Sequence, residues 1–206
     1  MSETLLSTEI EVYLLAAGRS ERLGRCKQLL DWDGKTLLAR MADAFCSAGL
    51  VCLHVVGRPE DEELAREVHS LGLRYVVNPR AERGMASSVL VAMEDCRSPW
   101  LGLCPADMPL LRTETLLRLG SAVGDSCTVI QPVCKGIRHH PVLFRRSLAP
   151  EVRALLEAGG TLRDYLRSAE VYKIRVQDCT QFEDVDTWED YEKLLQIWRE
   201  RTRGHS

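Results

Sequence analysis

Short, almost wholly apolar runs separated by amphipathic stretches set the plan of the chain. Residues 10–15, 50–56, 73–77 and 100–104 read as strands buried on both faces of a parallel sheet. Between them lie segments with apolar residues at helical spacing. These are 37–48, stopped by Gly49, then 60–71, acidic in its first turn, and 84–93, entered through a glycine turn. Strands alternating with helices imply βαβ units and a mostly parallel sheet, an α/β fold. Right-handed crossovers put the loops after the strands along one edge, where ligands of such sheets bind. The loops after the first and fourth strands are therefore expected to face one crevice.

Beyond Thr113 the rhythm changes. A helix (113–123) leads to a strand (128–133), a polar segment (134–140) and a short apolar stretch (141–144). Two helical stretches broken at Gly159-Gly160 follow, then a strand (171–176) and a terminal helix (187 to about 201) begun at a threonine cap. Residues 202–206 are expected to fray. There is no internal repeat, low-complexity segment or linker, so 1–206 reads as one domain.

Composition narrows the partners. The 206 residues carry 27 basic and 30 acidic side chains, net −3, which is no nucleic-acid footprint. The first ten residues lack a basic and an apolar leader region, and no apolar run approaches a spanning helix. No membrane association and a cytoplasmic location are expected. Eight cysteines occur, none with CxxC spacing and several within apolar runs, so they read as buried, reduced thiols. Cys26 differs: it lies among cations, a setting that can lower a thiol pKa, and is read as a neighbour of the site without a chemical role.

The chemistry begins where the first strand ends. Ala16, Ala17 and Gly18 are small enough for a ligand to approach the backbone, and Arg19, Arg22, Arg25 and Lys27 follow at once with Ser20 and Gly24 between them. Small residues and then repeated positive charge suit a polyphosphate. Neither the P-loop nor the GxGxxG pattern is present. The bland alternative is a strand followed by a solvated, exposed run of arginines.

The stretch LAAGRSERLGRCKQLL resembles the signature loop LAAGxSxRMGxxKxLL of the MobA-like nucleotidyltransferases, and within them the molybdenum cofactor cytidylyltransferase group. The resemblance extends from about residue 14 to 195. It implies a Rossmann-like three-layer fold of the nucleotide-diphospho-sugar transferase type. It also implies transfer of CMP from CTP to a molybdopterin-type acceptor with release of pyrophosphate. Leu15, Ala16, Ala17, Gly18, Arg19 and Ser20 then contact the nucleotide, with Arg22 and Lys27 catalytic. CPADMPLL resembles the family's metal motif, making Asp107 both catalytic and a ligand of Mg²⁺ or Mn²⁺; as a lone residue Asp107 would read as a turn former or helix cap. FEDVDTWEDY resembles the late DIDTPEDY segment, with Asp186 as second metal ligand and helix capping as its rival role. Asp184 and Asp186 alternate around Val185 and project to one face of an extended chain.

RAERGMASSV resembles NxxWxxGMxSSL, which places Gly84, Ser87 and Ser88 at the base and ribose. KGIRHHPVLF resembles GxRGHPVLF, which places Arg138 and His140 at the acceptor phosphate, with His139 where relatives have glycine. AGGTLR stands where many relatives have GDxGAR and keeps only Arg163 in register. An apo molybdenum hydroxylase, or its maturation chaperone, is the further partner implied. Rival readings are transfer to a sugar or alditol phosphate, use of GTP, and a non-catalytic cofactor carrier. Retention of Lys27 and Asp107 favours an enzyme over a carrier. Ala17 carries the base choice, since guanylyltransferases of the wider family have glycine there.

Overall fold

The computed structural model describes residues 9–203. Strands β1 (Ile10–Leu15), β2 (Leu53–Gly57), β3 (Arg74–Val77) and β4 (Trp100–Pro105) lie side by side in parallel, in the order β3-β2-β1-β4. The sheet continues through β7 (Val142–Arg145), antiparallel to β4, and β5 (Val129–Cys134), antiparallel to β7. Two-residue β6 (Ile137–Arg138) pairs with β5, as does β8 (Tyr172–Arg175), which runs parallel to it.

Side-chain alternation explains why helices cover both faces. On β1, Ile10, Val12 and Leu14 join one core cluster, while Tyr13 and Leu15 join the other. On β4, Trp100 and Cys104 face the first and Leu101 and Leu103 the second. A sheet apolar on both faces needs a helical layer on each. Helices α1 (Leu37–Ser47), α2 (Glu62–Ser70), α4 (Thr113–Ser121) and α7 (Trp188–Arg203) pack on the first face. Helices α3 (Met85–Asp95), α5 (Ala149–Glu157) and α6 (Leu162–Ser168) pack on the second. The result is the expected three-layer α/β fold. No helix among the described residues is long and apolar enough to cross a membrane.

Three expectations change. The second strand starts at Leu53: Leu50 N–H closes onto Phe45 O, and the exposed Val51 sits in a turn whose carbonyl accepts from Leu53 N–H. The polar segment 134–140 contains β6, because Lys135 and Gly136 both have positive φ and turn the chain back on β5. Helix α7 runs to Arg203, beyond the expected fraying at Thr202; residues 204–206 lie outside the described residues, as do the first eight.

The cysteines also differ from expectation. Cys134 and Cys179 form a disulfide, with Cα atoms 5.6 Å apart, while six cysteines are free. The two are 45 residues apart in sequence, and the pairing of β8 with β5 brings them together. No spacing motif could announce that bond.

Candidate active site

The order β3-β2-β1-β4 reverses direction between β1 and β4, where such sheets open a crevice at their carboxyl ends. Leu15 pairs with Pro105, and Leu15 O accepts from Ala106 N–H at 3.1 Å, so the two loops leave the sheet side by side. The first loop folds back on itself at Ser20, a non-glycine with φ of 49°. Ser20 O accepts from Leu23 and Gly24 N–H, and its Oγ accepts from Lys27 N–H at 3.4 Å. That turn carries Lys27 back over the sheet edge and buries it. The sequence places this residue on an exposed loop; the structure leaves it 9% exposed.

Lys27 Nζ lies 2.5 Å from Asp107 Oδ2 and 2.9 Å from Asp186 Oδ1. Arg22 Nη2 reaches Asp186 Oδ2 at 3.1 Å. Asp107, Asp184 and Asp186 each present a carboxylate oxygen within 4.8 Å of the others. A backbone bond makes this convergence: Val185 N–H donates to Asp107 O at 2.9 Å, pinning the late acidic segment beside the loop after β4. The i, i+2 alternation then turns both flanking aspartates to Asp107.

Capping, the rival role, falls to other residues. Thr187 Oγ1 accepts from Asp190 N–H, while the Asp190 carboxylate accepts from Thr187 and Asp186 N–H. Helix α4 has no side-chain cap, so Asp107 does not serve it. Both carboxylates remain available to the cluster.

Electrostatics make this a poised site. Burial pushes the Asp107 carboxyl above its usual range; Lys27 opposes this, and Asp184 and Asp186 add to it. Burial also pulls on Lys27, but Asp107 and Asp186 overcome it and hold the ammonium above its usual value. The asymmetry follows from neighbours: Lys27 faces two carboxylates, Asp107 one cation and two like charges. Hydrogen bonding from Lys27 holds Asp186 below the usual range. Three carboxylates thus face two cations, leaving an excess of negative charge. Asp107 Oδ1 is buried without a hydrogen-bond partner. Carboxylate oxygens, uncompensated charge and an orphaned acceptor fit a hard divalent cation.

Two cavities adjoin these loops. One, of about 300 Å³, is lined by Gly18, Arg19, Ser20, Gly24, Arg25 and Arg58, among others. A Cβ at Gly18 would meet nothing within 4 Å, so packing within the protein does not demand glycine there. The other, about 1150 Å³, opens beside Leu15 and Pro105 and is lined by Arg138, His139, His140, Arg163 and Asp184. Burial holds His140 below the usual imidazole range, and its Nδ1 lies 3.3 Å from Leu103 O. It is therefore a neutral hydrogen-bonding group, not a cation. Arg138 donates to Leu166 O.

Ser87 and Ser88 are placed differently from expectation. Both are buried, and their hydroxyls accept from Asn78 Nδ2 at 2.9 and 3.0 Å. Ser87 Oγ also donates to Gly84 O, stabilising a turn whose φ of 80° favours glycine. These hydroxyls anchor the start of the helix to Asn78 and to the Gly84 turn, and the neighbouring Met85 and Ala86 line the larger cavity. Ala16 and Ala17 are buried: Ala16 N–H donates to Val56 O, and Ala17 O accepts from Arg58 Nη1. Burial raises the Cys26 thiol, so the cationic setting does not lower it.

Sequence reasoning passed over Asp184 as a ligand, although its alternation with Asp186 was the available signal. It had no signal for Arg58, a lone arginine after β2 that only the strand order brings to Ala17.

Residues 12–173 match the MobA-like NTP transferase domain. The chain is 26% identical over 186 residues to the molybdenum cofactor cytidylyltransferase of Escherichia coli K12, covering 88% of this chain and 93% of that protein. It is 28% identical over 193 residues to the molybdenum cofactor guanylyltransferase of Xanthomonas euvesicatoria, covering 88% and 92%. Among solved structures, Rv0371c of Mycobacterium tuberculosis H37Rv superposes with a TM-score of 0.76 at 30% identity, covering 92% of this chain and 99% of that one. Its manganese complex gives 0.74 at 26% identity, with the same coverage. With the strand order, the cationic loop and the carboxylate cluster all in place, the chain belongs to the MobA-like NTP transferase family.

Proposed function

We propose that this enzyme transfers CMP from CTP to the phosphate of a molybdopterin-type acceptor, releasing pyrophosphate. The observation that carries the reading is the cluster of Asp107, Asp184 and Asp186 around Lys27, reached from one side by the cationic loop and opening on the other into the large cavity. A carrier would have no use for three carboxylates gathered with an excess of negative charge. An oxygen of the acceptor phosphate attacks the α-phosphorus, so the protein supplies no nucleophile; it must hold two anions together and neutralise charge as it develops.

The loop from Leu15 to Ser20, with the backbone bare at Gly18, receives the triphosphate. Lys27 and Arg22, tethered to the aspartates, stand ready to neutralise its oxygens. Asp107, Asp184 and Asp186 hold Mg²⁺ or Mn²⁺, which when bound polarises the α-phosphate and screens the leaving pyrophosphate. Arg163, Arg138 and the neutral His140 line the space for the acceptor. Cytidylyl rather than guanylyl transfer is supported by the methyl group of Ala17 and by the cytidylyltransferase relative. A single such group discriminates by about 1–3 kcal/mol.

The test is competition between CTP and GTP with molybdopterin as acceptor, alongside a sugar phosphate and an alditol phosphate. The expected result is labelled molybdopterin formed mainly from CTP. Preference for GTP would overturn the base assignment, and turnover only with the other phosphates would overturn the acceptor.

A further inference from the structure

The two sides of the site are tied together twice, outside the sheet. Cys134 closes β5, five residues before His139; Cys179 opens the turn at Cys179–Phe182, five residues before Asp184. Their disulfide therefore joins the hairpin that carries Arg138, His139 and His140 to the segment that carries Asp184 and Asp186. Beyond the disulfide, the His139 ring stacks on Phe182, with centroids 4.3 Å apart and planes 11° from parallel. Phe182 is two residues before Asp184. The disulfide and the stack thus close a ring between the acceptor side and the carboxylates, which Val185 completes through its bond to Asp107 O.

Other contacts hold the same region to the body of the fold. Asp178 pairs with Arg112 and Arg201, Gln181 Oε1 accepts from Arg112 N–H, and Val185 is wholly buried. Loss of the disulfide would leave the fold standing and leave the His139–Phe182 stack as the remaining one of these two ties between segment and hairpin.

We propose that the Cys134–Cys179 disulfide and the His139–Phe182 stack are positioning elements that set the aspartates against the acceptor face, so that a dithiol reductant weakens metal and acceptor binding together. The inference rests on reading Asp107, Asp184 and Asp186 as metal ligands. Cys134 is buried and Cys179 half-buried, so a dithiol attacks Sγ of Cys179. The S–S bond breaks, Cys134 leaves as thiolate and takes a proton, and a mixed disulfide forms on Cys179. The second thiol of the reductant attacks that bond, releasing Cys179 as a thiol and leaving the reductant as its own disulfide. Two electrons pass from reductant to protein. Glutathione disulfide reverses the change.

The experiment compares the full chain oxidised, reduced with dithiothreitol, and as Cys179→Ser, His139→Gly and, as a control at a free exposed cysteine, Cys46→Ser. Mn²⁺ binding is read by electron paramagnetic resonance without substrate, and acceptor and nucleotide KM by steady-state kinetics. Thiols are counted by alkylation under denaturing conditions. The expected result is six alkylated thiols before reduction and eight after. Mn²⁺ affinity and acceptor affinity should each fall roughly five- to tenfold on reduction, nucleotide KM should change little, and reoxidation should restore both. Cys179→Ser should behave as reduced in either condition, and Cys46→Ser as the parent. His139→Gly should show part of the loss while still oxidised. Equal Mn²⁺ and acceptor affinity in both states, or a lowered melting point alone, would overturn the proposal, as would eight free thiols that glutathione disulfide leaves unpaired. A protein that binds Mn²⁺ redox-dependently but transfers no nucleotide would sink the proposed function and keep the positioning role.

Discussion

Replacing Lys27 by methionine keeps an unbranched side chain one atom shorter and removes the cation buried among the carboxylates. The ammonium makes two contacts, at 2.5 and 2.9 Å, and is almost as buried as Asp107. Removing one partner of a buried ion pair costs about 3–5 kcal/mol, because the other charge is left uncompensated. For a chain of this length about 1 kcal/mol moves the melting midpoint by ~2–4 °C, so the variant should melt roughly 6–20 °C lower. Asp107 relieves part of that cost by taking up a proton. Its folded pKa, already raised by burial and by Asp184 and Asp186, rises further without Lys27. A carboxyl raised in the folded state destabilises once pH exceeds its unfolded value, so the deficit should grow as pH climbs from the ordinary carboxylate range towards the raised folded value and level off above it. Divalent metal should offset it, by about 2.7 kcal/mol at 100-fold excess over Kd. Scanning calorimetry over a pH series that starts at about 4, the unfolded carboxylate value, and ends near neutrality, with and without MgCl₂, reads all three effects. An unchanged midpoint, or a loss indifferent to pH and metal, would refute the electrostatic account of the cluster.

Asp107→Asn should fold with a near-parental midpoint, since it removes a charge from an over-negative cluster, yet lose nearly all turnover in Mg²⁺; circular dichroism and pyrophosphate release check the pair. Asp184→Asn should raise the Mg²⁺ concentration for half-maximal rate roughly tenfold, and an unchanged metal titration would leave Asp184 as a spectator. Ala17→Gly should raise GTP use relative to CTP, measured as the ratio of kcat/KM values, within the ~1–3 kcal/mol that one group supplies. Burial pushes the Glu11 carboxyl up, but hydrogen bonds from Tyr13, Arg97 and Ser98 bring it below the usual range. Its stabilisation is therefore present above the unfolded pKa and is lost as pH falls through the folded one. Glu11→Gln should cost about 1–2 kcal/mol at pH 7 and little in acid, checked by urea unfolding at pH 7 and pH 3.

Local rules made most of the fold legible. Apolar runs marked β1 and β4, and the small residues and charges after Leu15 marked an anion site, because both depend on neighbours in sequence. Lys27 was legible as a cation but not as a buried one: its burial comes from the turn at Ser20 and from carboxylates 80 and 159 residues away. The disulfide, Arg58 and the structural use of Ser87 and Ser88 all arise from strand order and packing, which no spacing encodes. Asp184 and Asp186 both fall on aspartates of the DIDTPEDY pattern, so the pair was legible, whereas their approach to Asp107 depends on the long-range bond from Val185 N–H to Asp107 O.

In the proposed reaction this cluster moves a nucleotidyl group between two phosphates. The direct measurement incubates the enzyme with CTP labelled at the α-phosphate, molybdopterin and Mg²⁺, and quantifies labelled acceptor and pyrophosphate together. Equal amounts of the two should form in the parent enzyme, neither without metal, and neither with Asp107→Asn. Pyrophosphate without labelled acceptor, or undiminished transfer in Asp107→Asn, would contradict it.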